Sequence, residues 1–141
     1  MLFPKKVKYR KWHTMRKHPD KVGVASRGTE VSFGSFGLKA LEYGRIKSNQ
    51  IEAARKVISR LLGKTGKTWI RIFPDMPYTA KPAEVKLGKG KGDLQGYVAP
   101  VKAGRILFEV DGVDEATAKE ALRKAGTKLP CKTKVVARIN K

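Results

Sequence analysis

The sequence predicts an α+β fold, in which a mostly antiparallel sheet packs against two helices, with an extended basic N-terminal arm and a Gly/Lys-rich loop. Two segments, residues 51–62 and 118–125, carry apolar residues at helical spacing. Several short segments alternate apolar and polar residues and are separated by Gly and Pro, which is typical of antiparallel strands. The first seventeen residues hold seven Lys or Arg and no acid, which is typical of a segment that does not order itself.

Residues 1–28 are predicted to be the arm, followed by a single domain over residues 29–141. Pro19, Gly23 and Gly28 interrupt any helix in the arm. A segment so charged and so poor in aliphatic side chains cannot bury enough surface to order itself. A polyanion that neutralises its cations can order it.

The domain is predicted to begin with a strand at Thr29, where TEVSF alternates and places Val31 and Phe33 on one side. The glycines of residues 34–37 then force a bend. The segment LKALEYGRI is expected to continue as one irregular strand to Ile46.

Ser48 or Asn49 is predicted to cap the first helix, with Glu52 at the capping-box position after Asn49. Gly63 and Gly66 end this helix. Its buried stripe consists of Ile51, Ala54, Ile58, Leu61 and Leu62. Its far side carries Lys56 and Arg60, with Arg55 at the edge.

KTWIRIF (67–73) is predicted to be a strand that Pro74 ends, with Trp69, Arg71 and Phe73 on one side. Residues 74–96 are rich in Pro and Gly and contain no long apolar run, and a mobile loop is expected at about 81–96.

GYVAPVK and RILFEVD are predicted to form a hairpin closed by Ala103 and Gly104. Pro100 within the first of these strands indicates an edge strand or a bulge. Asp114 is predicted to cap the second helix, and CKTKVVARI (131–139) to form the last strand. The stripe of the second helix consists of Ala118, Ala121, Leu122 and Ala125.

The net charge of +20 exceeds what solubility requires and indicates a permanently anionic partner. No apolar run is long enough to span a membrane, and the N-terminus lacks the apolar core of a signal peptide. The single cysteine, Cys131, excludes an internal disulfide. A cytoplasmic protein without a membrane partner is therefore expected.

No catalytic site, metal site or cofactor is predicted. GKTGKT (63–68) lacks the first glycine of a phosphate-binding P-loop, because Leu61 occupies that position. His13 and His18 stand five apart with no cysteine or carboxylate cluster beside them, so they do not indicate a metal site.

Two regions are predicted to contact nucleic acid. In the arm, cations neutralise phosphates while aromatic rings offer faces to unpaired bases. In the loop, alternating glycines let backbone amides approach phosphates, with lysines between them. The arm residues are Lys5, Lys6, Lys8, Tyr9, Arg10, Lys11, Trp12, His13, Arg16 and Lys17. The loop residues are Lys81, Lys86, Gly88, Lys89, Gly90, Lys91 and Gly92.

Six motifs occur in a characteristic order: VSFGSFGLKAL (31–41), QIEAAR (50–55), WIRIFPDMPYTAKP (69–82), GKGKG (88–92), FEVDGV (108–113) and KLPCKT (128–133). With the opening MLFPKKVKYRK, they resemble the bacterial large-subunit ribosomal protein L-sixteen family. The resemblance covers nearly the whole chain. WIRIFPD followed by GKGKG is its most specific part, and residues 18–28 fit least well.

The resemblance implies an α+β fold, no enzymatic activity, and a position on large-subunit rRNA beside the aminoacyl-tRNA site, among neighbouring large-subunit ribosomal proteins. It also implies a late role in subunit assembly. The loop would point toward the peptidyl transferase region and toward tRNA at the aminoacyl and peptidyl sites. Lys86 stands where many relatives have an arginine, hydroxylated in some, and lysine excludes that modification. Expected rRNA contacts outside the arm are Arg55, Lys56, Arg60 and Arg71.

A free architectural nucleic-acid-binding protein or RNA chaperone is the alternative, because it would share the charge and the arm. Architectural proteins that bind the minor groove usually offer an exposed apolar wedge. Here most apolar residues outside the arm fit a core, which argues against this alternative.

Overall fold

A computed structural model describes residues 1–12, 22–81 and 90–139. Within these residues there are two helices and seven strands, and every strand pairing is antiparallel. The predicted α+β class is therefore confirmed. In chain order the elements are β1 (Phe36–Ala40), β2 (Gly44–Lys47), α1 (Ser48–Leu62), β3 (Lys67–Ile70), β4 (Met76–Ala80), β5 (Asp93–Val101), β6 (Ile106–Asp111), α2 (Glu115–Gly126) and β7 (Thr133–Ala137).

The strands form two sheets instead of the single predicted sheet. The first has the order β3-β6-β1-β7 and the second has the order β2-β5-β4. The chain changes sheets after β1, where the Leu41 amide donates to the carbonyl of Lys132 at 2.8 Å. LKALEYGRI is therefore two strands and not one irregular strand.

The core lies between the helices and the sheets. The two helices pack against each other, α2 also packs against β1 and β7, and α1 packs against β2, β3 and β5. Both predicted helical stripes are buried, except that Leu61 is only half-buried. The largest fully buried apolar side chains are Phe108, Leu38, Ile46, Ile51, Ile58, Ile106, Leu107 and Leu122. None of the helices in the described part of the chain is both long and apolar enough to cross a membrane.

The two helix starts differ in how well their caps were predicted. Asp114 caps α2 as expected, because its carboxylate accepts from the Thr117 amide at 3.2 Å. The cap of α1 is Lys47, and not Ser48 or Asn49. The side-chain oxygen of Gln50 accepts from the Lys47 amide at 2.8 Å, which is the reciprocal half of a capping box.

The predicted hairpin is wrong, since β5 and β6 are consecutive but belong to different sheets. The turn between them contains Gly104, whose φ of +98° is one that a side chain would strain. Its amide donates to the carbonyl of Ala40 at 2.7 Å, so the turn is attached to β1. Pro100 lies beyond Val98, the last β5 residue paired with β4, at a position with a neighbouring strand on one side only.

The predicted strand at TEVSF is also wrong. Residues 29–35 form neither helix nor strand, and they lie against the first sheet. Val31 is buried there, and a Cβ built on Gly37 would approach the Val31 side chain to 2.8 Å. Phe33 points elsewhere and is 55% exposed. The alternating pattern of TEVSF therefore belongs to a segment that crosses the first sheet and not to a strand of that sheet.

Several strand boundaries differ from the prediction. β3 ends at Ile70, although the Arg71 amide still donates to the carbonyl of Leu107 at 2.9 Å. The Pro- and Gly-rich stretch contains β4 and the first residues of β5, so residues 93–96 belong to a strand. β7 stops at Ala137, and Ile139 is largely exposed.

Candidate nucleic-acid interface

The first twelve residues of the arm form neither helix nor strand, yet they begin on the domain. Leu2 packs against the core, and its carbonyl accepts a hydrogen bond from the Ser48 hydroxyl. Lys11 is half-buried, whereas the other predicted arm residues in this part of the chain are exposed, namely Lys5, Lys6, Lys8, Tyr9, Arg10 and Trp12. His13, Arg16 and Lys17 lie outside the described residues, as does the pairing of His13 with His18.

Aromatic rings and cations of the arm lie close together. The Lys8 ammonium lies 5.5 Å from the centre of the Tyr9 ring. Tyr9 is 61% exposed and Trp12 is 39% exposed. Within residues 1–12, 22–81 and 90–139, no ion pair involves a cation of the arm. This part of the arm therefore presents uncompensated positive charge beside two accessible ring faces.

The end of the arm returns to the domain at the turn between β5 and β6. The Ala25 amide donates to the carbonyl of Ala103 at 2.8 Å, and the Ile106 amide donates to the carbonyl of Gly28 at 2.8 Å. The arm is thus attached near both of its ends.

The outer side of α1 carries the three predicted cations, and they differ in whether they form an ion pair. Lys56 and Arg60 are exposed and form no ion pair with another described residue. Arg55 pairs with Glu52, with 3.0 Å between the arginine Nε and the carboxylate. The Arg55 hydrogen bond lowers the pKa of Glu52 below its usual range, despite some burial of that carboxyl. Glu52 therefore holds Arg55 and does not act in the helix cap.

The ends of the predicted loop lie beside the arm. The Lys91 ammonium donates to the backbone carbonyl of Trp12. Lys81, Gly90 and Gly92 are described, and Gly90 has φ of +96°. A Cβ on Gly92 would lie 2.6 Å from the backbone of Ala80, so glycine permits this close approach. Lys86, Gly88 and Lys89 lie outside the described residues.

Arg71, predicted to contact rRNA, is bound to a buried acid. Glu109 of β6 is 0% exposed, and its second carboxylate oxygen accepts from the Arg71 guanidinium. Its first oxygen accepts from the amides of Ser32, Phe33 and Gly34 at 2.8, 2.8 and 3.0 Å. Arg71 is thus neutralised within the fold.

The environment of Glu109 favours its charged form. Burial alone would raise the pKa of this carboxyl. The hydrogen bonds from the Gly34 amide, from Arg71 and from the amides of Phe33 and Ser32 together outweigh burial, so the pKa lies below its usual value. The carboxylate therefore fastens residues 32–34 onto the first sheet.

An aromatic stack stands above this cluster. The rings of Phe33 and Trp69 are 6.2 Å apart at an interplanar angle of 20°, and the Arg71 guanidinium lies 4.8 Å from the Phe33 ring centre. Trp69 and Arg71, which were predicted to share one side of the strand, therefore both contact the Phe33 ring.

Cations that the sequence did not single out also reach the surface. Arg27 and Lys102 are exposed and Arg105 is half-buried, and they lie together near the end of the arm. The Lys47 ammonium lies 5.5 Å from the Tyr78 ring centre on the second sheet. These cations lie in segments that are far apart in sequence, so no local pattern brings them together. Only the high Lys and Arg content of the chain could have indicated such a surface.

The cations of α2 differ from those of the arm. Lys119 pairs with Glu115 at 2.6 Å, and Glu120 pairs with Arg123 at 2.7 Å and with Lys124 at 3.6 Å. Two of these pairs, Glu115 with Lys119 and Glu120 with Lys124, have i,i+4 spacing on the helix. This helix offers a charge-balanced surface, whereas the arm and the outer side of α1 carry the excess positive charge.

Comparison with known proteins decides the family. Residues 4–136 match the family model described as Ribosomal protein L16p/L10e. The chain belongs to this ribosomal protein family. The resemblance predicted from the six motifs is thereby confirmed.

Curated L16p/L10e relatives match along nearly their whole length. A protein of Rhodopseudomonas palustris (strain HaA2) is 55% identical over 139 residues, covering 99% of this chain and 98% of the relative. A protein of Thermosipho africanus is 58% identical over 138 residues, covering 98% and 94%. One of Pseudothermotoga lettingae is 54% identical over 140 residues, covering 99% and 96%. Each is named large ribosomal subunit protein uL16.

Proposed function

We propose that this chain is a structural constituent of the large ribosomal subunit, located in the ribosome of the cytoplasm and without catalytic activity. It binds large-subunit rRNA and contacts neighbouring large-subunit proteins. It supports late subunit assembly and helps to position tRNA near the aminoacyl site and the peptidyl transferase centre. Full-length similarity to relatives named uL16 supports the ribosomal part of this proposal.

The observation that carries the RNA contacts is the hydrogen bond from Lys91 to the Trp12 carbonyl. It brings the arm and the end of the Gly/Lys-rich loop together, although 79 residues separate them in sequence. The described end of the Gly/Lys-rich loop thus lies beside the arm, and the cations of both can follow a continuous phosphate backbone.

The chain acts as an electrostatic clamp. Exposed cations of the arm and of α1 neutralise phosphates that would otherwise repel one another, and counterion release makes the binding strong at low salt. Tyr9 and Trp12 offer ring faces to unpaired bases. Lys56 and Arg60 bind phosphate directly, whereas Arg55 first exchanges its surface pair with Glu52, at a cost of about 1 kcal/mol or less.

Arg71 has a different role in this proposal. Its charge is held by Glu109, so it orders residues 32–34 and the Phe33–Trp69 stack and does not neutralise a phosphate. Arg71 thus contributes to the interface through its contacts with Glu109 and Phe33 and not through contact with RNA.

Gradient sedimentation of a tagged copy, washed in high salt, tests the ribosomal role. Co-migration with the large subunit after the wash is expected. A slow peak at the top of the gradient, or release by DNase, would instead support the free architectural protein.

The loop is expected to serve tRNA more than assembly. Replacing Lys89 and Lys91 together by glutamine removes two phosphate contacts and should weaken tRNA binding at the aminoacyl site about 3- to 10-fold. Incorporation into the subunit should stay mostly intact. Filter binding of tRNA to purified ribosomes measures the first effect, and sedimentation measures the second.

The matched control replaces Lys128 and Lys132, two exposed lysines near the end of α2, by glutamine. It removes the same charge and should leave tRNA binding unchanged. Lost incorporation with normal tRNA binding in the loop variant would make the loop an assembly element.

A further inference from the structure

A groove of about 920 Å³ lies between β3 and the end of β5. Consecutive residues from Thr68 to Phe73 line one wall, and the end of the arm and the turn before β6 line the other. β3 is the edge strand of the first sheet, so no further strand of the described fold covers this wall. None of the RNA contacts already proposed for the arm, the loop or α1 uses this groove.

The rim of the groove is cationic. Arg27 and Lys102 are exposed, and Arg105 lies between the walls. The Arg105 guanidinium donates to the carbonyls of Arg71 at 2.8 Å and of Arg27 at 3.3 Å. These carbonyls fix its orientation but leave its charge uncompensated. Apart from Arg71, which Glu109 neutralises, the described lining residues thus include three cations and a single acid, Asp75.

The wall formed by β3 is aromatic. Phe73 is 46% exposed, so its ring is accessible to a ligand. Trp69 also lines the groove, and its ring is held from the other side by Phe33 at 6.2 Å. Glu109 in turn holds the backbone of Phe33 at 2.8 Å. The Trp69 ring is therefore held in place before any ligand arrives, which lowers the entropy cost of binding.

We infer that this groove holds a short unpaired segment of RNA, in which one base stacks on Phe73 and another on Trp69, while the phosphates lie against Arg27, Lys102 and Arg105. Base stacking on aromatic rings and neutralisation of phosphate by nearby cations are the two features of single-strand recognition. A base inside a duplex has no free face to offer, so the groove selects unpaired positions. An extended peptide could pair with the β3 edge, but three cations against one acid favour RNA. This inference rests on the proposed function and assigns it a further site.

Trp69 itself reports on the groove. The chain has two tryptophans, so Trp12→Phe leaves Trp69 as the single fluorophore of that type in the full-length protein. Titration with penta-adenylate should quench Trp69 fluorescence with saturation. A blunt-ended RNA duplex with the same number of phosphates should leave it nearly unchanged.

Two variants in this background separate stacking from charge. Phe73→Ala should raise the Kd for penta-adenylate about 5-fold or more, since stacking on an aromatic ring contributes that much or more per base. Arg27→Gln with Lys102→Gln should raise the Kd and reduce its dependence on salt. Lys119→Gln with Lys128→Gln removes equal charge at α2 and should change neither.

The readouts distinguish failure of the site from failure of the proposed function. Binding of labelled large-subunit rRNA is followed in parallel by fluorescence anisotropy. Normal rRNA binding with no Trp69 response, or equal quenching by the duplex, overturns the nucleotide site alone. Loss of rRNA binding by the parent protein overturns the proposed function and the site together. Phe73→Leu, which keeps the apolar volume without a π face, should bind as weakly as Phe73→Ala, and full binding by it would also overturn the inference.

Discussion

Replacing Glu109 by glutamine is expected to lower the free energy of unfolding by about 3 kcal/mol or more, because it breaks a buried ion pair and leaves one partner uncompensated. The carboxylate is 0% exposed and receives three backbone amides as well as the Arg71 guanidinium. Glutamine keeps the size of the side chain but turns an NH₂ group toward one set of these donors. Urea unfolding followed by circular dichroism measures the loss.

Glu115→Gln is the matched control. Its carboxylate also pairs with a cation but is 64% exposed, so the substitution should cost about 1 kcal/mol or less. The double variant Glu109→Gln with Arg71→Gln should be less destabilised than the sum of the two single variants, since it leaves no unpaired charge. Strict additivity would show that the two residues do not act as a pair.

The same site predicts a pH dependence. Because the pKa of Glu109 is lowered in the folded chain, its stabilisation is fully present above its ordinary pKa of 4.5 and is lost as the pH falls through the lower folded value. The difference in stability between the parent and Glu109→Gln should therefore shrink below about pH 4.5. A difference that stays constant or grows in acid would contradict the assignment.

Replacing Lys5, Lys6, Lys8 and Lys11 by glutamine is expected to reduce the salt dependence of rRNA binding strongly. Four lost phosphate contacts should lower the slope of log K against log salt concentration by about 3. Filter binding at several salt concentrations measures the slope. These substitutions leave Leu2 on the core, whereas deletion of residues 1–17 would remove that packing along with the charge.

The control for the arm removes the same number of lysines from α2 and from the residues that follow it. Lys119 and Lys124 pair with acids on α2, and Lys128 and Lys132 are exposed beyond it. Replacing these four by glutamine should lower the slope by less than about 1. Equal slopes for the two variants would show that binding depends on total charge alone and would refute the clamp.

Local patterns predicted the helices well. Apolar residues at helical spacing identified both buried stripes, and Asp114 identified the start of α2. The start of α1 was harder to predict from the sequence. Lys47 carries no acceptor in its side chain, and the cap arises from Gln50 reaching back to its amide.

The pairing of strands could not be predicted because it depends on distant contacts. Gly104 marked a turn correctly, but its amide is bonded to Ala40, and this separates β5 from β6. Glu109 lies between two apolar residues in FEVD, which is the pattern of an acid on the exposed side of a strand. It is buried only because residues 32–34, more than 70 positions away, cross over it. The same distance concealed the groove, whose cations come from the arm and from the turn before β6.

The attachment of the arm near both ends affects how it can meet RNA. A free tail loses much conformational entropy when it is ordered on a partner. Here Leu2 and residues 25–28 are already held on the domain, so the intervening chain is a closed loop. Much of the entropy loss occurs during folding, and the lysines stay near the body of the protein at a high local concentration. We therefore expect the arm to bind RNA as a segment held near both ends and not as a free tail.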